Sequence, residues 1–558
     1  MLLLCQCSSQ HETHEFPPFF RTDPSGYFAS SHVYERQELE SKPDLTAWDR
    51  RRLSDLYEVE LRNLPKDSAR AASLSAAIAK ISELNRSLTD RIDSVKRVVV
   101  QEQKREAAQN EAVFKDAEFK KEYFLAYRLW NRDENEDGLQ KAIELTKNEA
   151  LLDRLNKREK FKAFNLAFRI ALDLQNLTVA QTAYERMRDL DDCSTEAAEA
   201  GFLMALTYLG AGDPKRARTL YEAQCDPDET ATNLIKREYW RARLLEASGE
   251  NAAAGFQKLT QSDVPGYYLF LAHAHIGKPL VFDIKAGATY RKQPLRVPSS
   301  VHRLLTEAET SLNAKLRNDA TVFLQMAADR MREGAGPSEI PALLYTAHLF
   351  QAAGTQLEAM KLYAAVSEIS QDTTDRVPFD FLGEMFPRPH SQWVSGLAAE
   401  WKLDPDFLYA IMRQESAFNP SAVSPANARG LMQMMPFLGE NIAKQWHYGA
   451  FYGNRTLFFA AENLKFAAYH LQQLQTQLPH PALMAAAYNA GSKRASNWWK
   501  RGAHLPLDVF VELIPILETR NYVKLVLRNF VFYKLLRGNG QIESAVVSQR
   551  LPELSSAL

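Results

Sequence analysis

Three short stretches share a pattern that restricts what this chain can fold into. "YLGAGDPKRARTLY", "EASGENAAAGFQKL" and "QAAGTQLEAMKLY" each contain a glycine that an alanine follows five residues later. The pairs are Gly212 with Ala217, Gly249 with Ala254, and Gly354 with Ala359. Small alanine side chains let the two helices of a pair approach closely. The spacings of 37 and then 105 residues suit units of about 35 residues, as in solenoids built from helical pairs.

The helical pattern continues well beyond these three stretches. From about 120 to 375, amphipathic segments alternate with short polar turns, which predicts a helical domain at 116–380, linker included, with a superhelical, ring-like or U-shaped course. "EMFPRPHSQWV" breaks the pattern with two prolines. A compact second domain is therefore expected at 384–540, and the polar end at 541–558 is a short tail. The fold class predicted is all-α.

A long helix or coiled-coil-like segment is predicted at 46–115. After Pro65 no glycine or proline occurs until Gly138, as an uninterrupted helix requires. Its apolar positions alternate steps of four and three residues, which is the repeat of a coiled-coil seam. The seam is Leu74, Ile78, Ile81, Asn85, Leu88, Ile92, Val95 and Val99. Residues 74–99 fit self-association or a cell-envelope protein partner, and they fit an internal helical hairpin as well.

The stretch 1–45 is predicted to be an extended arm that carries the remnant of an export signal. "MLLLCQCSSQ" has an apolar stub and two cysteines, like the end of a lipoprotein signal. The basic segment is missing, and the residues before the cysteines are Leu4 and Gln6 instead of small residues. We therefore expect a periplasmic or cell-envelope protein, with an outer-membrane lipoprotein as the further expectation.

The charge balance argues against a nucleic-acid partner. The 558 residues contain 68 Lys and Arg against 69 Asp and Glu, and no long basic block occurs. Cys193 and Cys225 are most simply two buried free thiols, although a disulfide in an oxidising compartment fits as well. His273 and His275 would point apart on a helix, so we expect no metal site and no cofactor.

The stretch "RQESAFNPSAVSPANARGLMQMMP" places a carboxylic acid, Glu415, on an apolar helical face. Leu408, Ile411, Met412 and Glu415 are spaced i, i+3, i+4 and i+7 along a helix that Asp404-Pro405 begins. Burial on that face would raise the pKa of Glu415 and make it a general acid. The alternative is an ion pair with Arg413 or Arg429. The loop that follows offers short polar side chains and close backbone approach, which suit a sugar chain.

Four ordered motifs resemble the soluble lytic murein transglycosylases. They are "RQESAFNPSAVSPANARGLMQMMP", "ENLKFAAYHL", "AAYNAG" and "FVELIPILETRNYV". "YWRARLLEASGENAAA" and "YYLFLAHAHIGKP" resemble the ring-forming helical domain of that family, so the likeness covers roughly 120–540. It implies a goose-type lysozyme-like fold for the catalytic domain.

The resemblance also implies an activity. Glu415 would cleave the β-1,4 bond between N-acetylmuramic acid and N-acetylglucosamine in peptidoglycan as acid and then base, leaving a 1,6-anhydro ring. Six further positions would bind the glycan: Ser416, Met432, Gln433, Tyr488, Asn489 and Glu518. Arg520 is expected to pair with Glu518. The rivals are a lysozyme-like hydrolase and a helical scaffold with a vestigial enzyme domain.

Overall fold

The structure is a computed structural model of the chain. It describes residues 68–84, 114–191, 193–225, 231–261, 266–281, 297–314, 316–332, 337–371, 382–447, 453–538 and 540–542, with single residues between 36 and 61. Most of the predicted arm at 1–45, and residues 85–113 of the predicted long helix, which include most of its seam, lie outside the described residues. Across the described ranges the fold is nearly all-helical, as the sequence predicts.

Before residue 382 the described residues form fifteen helices, many of them joined by short turns. They are α1 (Ala69–Leu84), α2 (Ala117–Asn131), α3 (Asn135–Lys147), α4 (Glu149–Leu152), α5 (Lys157–Asp173), α6 (Leu177–Leu190), α7 (Thr195–Gly210), α8 (Pro214–Glu222), α9 (Ala231–Ala247), α10 (Ala253–Leu259), α11 (Tyr267–His275), α12 (Ser299–Asn313), α13 (Arg317–Arg332), α14 (Ile340–Ala352) and α15 (Gln356–Gln371). A 3-10 turn covers Pro337–Glu339. Consecutive members such as α5 and α6, or α14 and α15, pack as pairs.

The remaining helices carry the four motifs. They are α16 (Leu382–Met385), α17 (Ser391–Trp401), α18 (Pro405–Ser416), α19 (Pro436–Gln445), α20 (Ala460–Gln477), α21 (Pro481–Ala490), α22 (Ser492–Gly502), α23 (Leu507–Glu512) and α24 (Leu517–Arg537), with a 3-10 turn at Gly453–Phe458. Two short strands, β1 (Leu280–Val281) and β2 (Gln541–Ile542), pair antiparallel with Leu280 opposite Ile542. Of the helices that the structure describes, none is long and apolar enough to cross a bilayer.

The chain separates into two compact units. The first comprises 1–100, 423–429 and 434–463, and the second comprises 101–422, 430–433 and 464–558. In the first unit, Leu39, Leu53 and Leu56 form a small apolar cluster. The second unit contains most of the described helices. The domain boundaries predicted above stay predictions.

The repeated glycines end helices by one common device. Gly212, Gly249 and Gly354 adopt φ of 82°, 83° and 82°, a left-handed conformation that glycine tolerates without a steric penalty. In each turn the N–H of the following residue reaches a carbonyl five residues back, for example Asp213 to Tyr208, which is the Schellman pattern. Gln175 ends α5 in the same way with φ of 56°.

Of the three alanines in the repeated pattern, two are buried between helices as predicted. Ala217 and Ala359 are fully buried between helices. Ala254 is exposed, so the prediction of a buried small residue is wrong there. The close approach occurs one residue later, at Gly255, which is itself exposed: a Cβ on it would lie 3.2 Å from the Cβ of Ala242.

Helix α24 lies at the centre of the second unit. It packs against α18, α21, α11, α16 and α23. Its buried residues face every direction: Thr519, Arg520, Tyr522, Val523, Val526, Leu527, Asn529, Phe530, Val531, Phe532, Tyr533 and Leu535. A helix that is buried on most of its sides is a core helix, and this one contacts five other helices of the unit.

Two buried carboxylates tie α22 and α23 to the earlier helices of the same unit. Asp173 accepts hydrogen bonds from the indole N–H groups of Trp130 and Trp498, at 2.8 and 3.1 Å, and pairs with Arg501. Asp508 accepts from the hydroxyl of Tyr239 at 2.8 Å. Removing one partner from such a buried network is costly, so these contacts hold the motif-bearing helices in place.

The interpretation of the cysteines as free thiols is wrong. Cys193 and Cys225 form a disulfide, with their Cα atoms 5.1 Å apart, inside the usual range for such a bond. It links the start of α7 to the residues that follow α8.

Candidate active site

Helix α18 presents Glu415 at its C-terminal end. Asp404 caps the helix by accepting the N–H of Asp406 at 2.9 Å, and Pro405 occupies its first turn. The helix ends because Ala417 and Phe418 adopt φ of 47° and 66°. The acid therefore lies at the point where the helix gives way to the polar loop.

Glu415 shares the buried face of its helix, as predicted. Ile411 and Met412 are fully buried, whereas Glu415 is half-buried. Its Oε1 accepts a hydrogen bond of 2.5 Å from the hydroxyl of Tyr522. Arg413, the predicted alternative partner, instead donates to the carbonyl of Met385 at 3.1 Å.

The environment keeps Glu415 protonated up to neutral pH. Burial raises the pKa of its carboxyl to about 7, the hydrogen bond from Tyr522 opposes the increase, and the negative charge of Glu518 adds to it. A buried carboxyl without a cation is the usual way in which a protein obtains a general acid at neutral pH.

Tyr488 lies near Glu415. Its hydroxyl donates to the carbonyl of Met432 at 2.7 Å. Burial raises the pKa of Tyr488 far above its usual value, and the nearby charge of Glu415 raises it further. Two tyrosine hydroxyls thus flank the carboxyl, Tyr522 bonded to it and Tyr488 close by.

The next two predicted positions, Ser416 and Met432, make contacts within the protein. The Ser416 hydroxyl donates to the carbonyl of Leu431 at 2.7 Å and also lies 3.4 Å from that of Met412. Met432 is fully buried, so its side chain packs in the core and its carbonyl receives Tyr488. Both residues support the wall around Glu415, and a glycan contact from either stays a prediction.

Gln433 braces the loop beside the acid. Its Nε2 donates to the carbonyls of Gly430 at 2.8 Å and of Ala422 at 3.1 Å. Gln433 itself has φ of 46°, a conformation that costs a non-glycine residue about 1 kcal/mol or more. Strain of this kind often accompanies functional sites, because the surrounding bonds must fix the side chain.

The last two predicted positions lie on α21 and α24. Asn489 accepts a hydrogen bond of 2.6 Å on its Oδ1 from the Thr519 hydroxyl, and its amide nitrogen extends the polar wall. Glu518 is exposed and lies close enough to Glu415 to raise its pKa.

The predicted pairing of Arg520 with Glu518 is wrong. Arg520 is almost completely buried and forms an ion pair of 2.7 Å with Glu199 of α7. Trp498 and Trp499 are also buried, so they belong to the core.

Tyr522 is the residue that reasoning from the sequence missed. It falls within "FVELIPILETRNYV" four residues after Glu518, and side chains spaced i, i+4 on a helix share a face. That spacing could have placed Tyr522 beside the acidic group. Its partner, 107 residues away, could not be read from the sequence.

Comparisons with known proteins agree with this geometry. Residues 394–508 match the Transglycosylase SLT domain family. A soluble lytic murein transglycosylase of Salmonella typhimurium is 26% identical over 372 residues, which are 65% of this chain and 52% of that protein. A Haemophilus influenzae relative is 37% identical over 177 residues, 31% of this chain and 30% of its own length. The chain thus spans about half, or less, of these curated relatives.

A solved structure extends the likeness to the whole fold. The lytic transglycosylase Slt of Pseudomonas aeruginosa, in an inactive mutant, has a TM-score of 0.58 at 21% identity. The match covers 95% of this chain and 82% of that one. The class is therefore defined: an SLT-domain protein on a nearly all-helical scaffold. Residues 394–508 thus match the Transglycosylase SLT domain family, and the chain as a whole is similar in fold to a solved lytic transglycosylase.

Proposed function

We propose that this protein is a lytic transglycosylase of peptidoglycan. It cleaves the β-1,4 bond between N-acetylmuramic acid and N-acetylglucosamine and leaves a 1,6-anhydro ring on the muramic acid. The observation that carries the proposal is Glu415, a half-buried carboxyl with a pKa of about 7 that no cation neutralises among the contacts described for it.

The chemistry needs one residue in two protonation states. Protonated Glu415 gives its proton to the oxygen that leaves with the next sugar, and the substrate's N-acetyl group stabilises the cationic centre. The resulting carboxylate then takes the proton of the 6-hydroxyl, whose oxygen closes the ring. The proton returns to Glu415, and no water is consumed. A pKa near the operating pH serves both steps.

The hydrogen bond from Tyr522 supports this double role. A hydroxyl that donates to the carboxylate stabilises the charged form, which lowers the cost of protonating the leaving group. Glycan contacts are proposed for Tyr488, Asn489, Gln433 and Glu518, whose polar atoms surround the acid. Ser416 and Met432 shape the same wall.

Asp404 and Asp406, at the start of the same helix, both form ion pairs with basic side chains. Asp406 is fully buried and contacts Arg388 at 2.7 Å and Arg537 at 3.1 Å, while Asp404 pairs with Lys534. Most glycosidases place a second carboxylate across the scissile bond. The engagement of these two favours the mechanism that uses the substrate's own hydroxyl.

We place the protein in the periplasm or cell envelope, where its substrate lies. The Cys193–Cys225 disulfide supports this, because such bonds persist in oxidising compartments. The partner proposed is the glycan strand itself.

Product analysis tests the proposal directly. Purified protein is incubated with peptidoglycan sacculi, and the muropeptides are weighed by mass spectrometry beside a Glu415→Gln variant. Anhydro-muropeptides, one water lighter than hydrolysis products and absent with the variant, are the expected result. Reducing-end products would make the protein a lysozyme-like hydrolase, and no products at all would favour the scaffold.

A further inference from the structure

A second cavity lies within the same compact unit, on the other side of α24 from Glu415. Its volume is about 990 Å³, and residues of α5, α7, α9 and α24 line it. Arg520, Lys524 and Arg528 are spaced i, i+4, i+8 and all line this cavity. Glu518 and Tyr522, on another face of α24, serve the candidate active site.

The cavity is strongly basic. Among the described residues that line it, seven are cationic and three are acidic. The cationic residues are Arg169, Lys236, Arg237, Arg241, Arg520, Lys524 and Arg528, and the acidic ones are Glu196, Glu199 and Glu222. The chain as a whole is balanced, at 68 basic and 69 acidic residues, so this concentration of positive charge is local.

The acids present are shared between cations. Glu199 pairs with Arg520 at 2.7 Å and lies 3.9 Å from Lys236. Glu512, behind the cavity wall, pairs with Lys524 at 3.2 Å. Three cations thus share two carboxylates, whereas Arg241 pairs with Glu238 at 2.5 Å.

The pKa values of two cationic residues of the lining are lowered. Burial lowers the pKa of Arg528 to about 10, and the charge of Arg413 lowers it further. Burial and the neighbouring charge of Arg520 also lower the pKa of Arg169. Burial is thus the main cause of both shifts, and neighbouring positive charge adds to them.

Several buried polar atoms of the lining have no acceptor among the described residues. They are Nε of Arg520, Nε of Arg528, Nε2 of Gln224 and the hydroxyl of Tyr267. All four are hydrogen-bond donors. A cavity wall in excess of both positive charge and donors is complementary to a ligand that carries oxyanions.

We propose that this cavity binds an oxyanion-bearing ligand, and that the carboxylates of peptidoglycan's peptide stems are its source. The assignment to stems rests on the proposed function, because the stems arrive with the glycan strand that Glu415 cleaves. Guanidinium and ammonium groups recognise carboxylate and phosphate alike, so free phosphate is the other source of the same chemistry.

Isothermal titration calorimetry on the full chain tests the site without any cleavage. A free stem peptide contains no glycosidic bond, so its binding does not depend on whether the protein is a transglycosylase. Inorganic phosphate is titrated separately. Saturable binding that weakens as salt is raised is expected, because screening reduces attraction between charges.

The diagnostic variant is Lys236→Gln with Arg241→Gln, which removes two cations from the lining. The matched control is Lys215→Gln with Lys258→Gln, two exposed lysines of the same helical segment outside the lining. We expect the dissociation constant to rise about tenfold in the diagnostic variant, the usual size for losing a hydrogen bond to a charged group, and less than about twofold in the control. Lys236→Arg with Arg241→Lys retains the charges and should restore binding.

The outcomes are distinct. Binding of the stem peptide that only the diagnostic variant weakens establishes the site with stems as its ligand. Phosphate binding with the same dependence, and none of the peptide, establishes the site with phosphate as its ligand. No saturable binding of either probe, or equal weakening in the control, overturns the proposal and leaves a structural ion-pair network.

Discussion

Glu415 and Glu512 are two tyrosine-bonded glutamates beside the same helix, α24, and they have opposite ionisation. Tyr522 donates to Glu415, and Tyr268 donates to Glu512. No cation is among the described groups that shift the pKa of Glu415, and burial raises that pKa to about 7. Burial alone would raise the pKa of Glu512 as well, but the charges of Lys524, Lys236 and Arg520 outweigh burial and hold that pKa below its usual value.

The difference teaches what makes a buried carboxyl chemically useful. Residue type, burial and a tyrosine partner are common to both sites, so none of them defines an acid catalyst. The two sites differ in the positive charge that surrounds the carboxyl, and this difference decides whether the carboxyl keeps its proton. With cations Glu512 becomes a structural anion that fastens α23 to α24, and without them Glu415 retains a proton that it can transfer.

Replacing each glutamate by glutamine should separate these roles and gives the largest expected effects. Glu415→Gln should lower activity by at least about a hundredfold, the usual size of a general-acid contribution, and leave the protein folded. Glu512→Gln should lower the free energy of unfolding by about 3 kcal/mol, because it strands the buried charge of Lys524. Urea unfolding and sacculus digestion measure both quantities. Comparable inactivation by the two variants, at equal folded fractions, would erase the distinction.

The pH dependence of stability should carry the same contrast. The folded-state pKa of Glu415 is about 7 and its ordinary value is 4.5, so the unfolded chain releases that proton first as pH rises. The free energy of unfolding therefore falls as pH rises from about 4.5 to 7, by up to about 3 kcal/mol, and the loss remains at higher pH. Glu415→Gln should be more stable than the parent at pH 8 and nearly equal to it at pH 4. Thermal unfolding at both values checks this, and a variant with the same difference at both would contradict it.

Activity should fall as pH rises through the pKa of Glu415, because the first step needs the protonated acid. The variant Tyr522→Phe tests whether the alkaline limb of the pH–rate profile reports the pKa of Glu415. It removes the bond that opposes the effect of burial, so the pKa of Glu415 rises and the alkaline limb of the pH–rate profile moves upward. A loss of one hydrogen bond to a charged group should also reduce kcat about tenfold. Tyr268→Phe, at the matching bond to Glu512, is the control and should leave the limb in place.

Glu518→Gln should have the smallest effect. The exposed charge of Glu518 raises the pKa of Glu415, so its removal should move the alkaline limb slightly downward. Water and salt screen an exposed charge, and we expect a change on the order of twofold in kcat/KM at low ionic strength. High salt should reduce the shift in the parent and abolish the difference from the variant. A shift that persists in high salt would point to a direct contact instead.

The position of Glu415 on the buried face of α18 could be predicted because the evidence for it is local. The i, i+3, i+4, i+7 spacing, the Asp404-Pro405 start and the adjoining motif all lie within a few turns. The helical architecture followed for the same reason, since the glycines that end α7, α9 and α14 are local signals.

Partners from distant parts of the chain could not be predicted in this way. Arg520 pairs with Glu199 and not with its neighbour Glu518, because the packing of α24 against α7 decides which acid it meets. Cys193 and Cys225 were expected to be free thiols, and the turn between α7 and α8 brings them together. In each case the deciding contact comes from tertiary packing, which spacing along the chain does not encode.

The central position of α24 has a consequence for timing. This helix follows every other described helix in sequence, yet it supplies Tyr522 to Glu415 and core contacts to helices formed long before it. A chain that emerges with its N-terminus first therefore exposes the acid well before the acid's partner arrives. Contacts between such distant segments also form late in folding, because a long loop must close first. Glu415 therefore gains the hydrogen bond that tunes its pKa only after α24 has packed against α18.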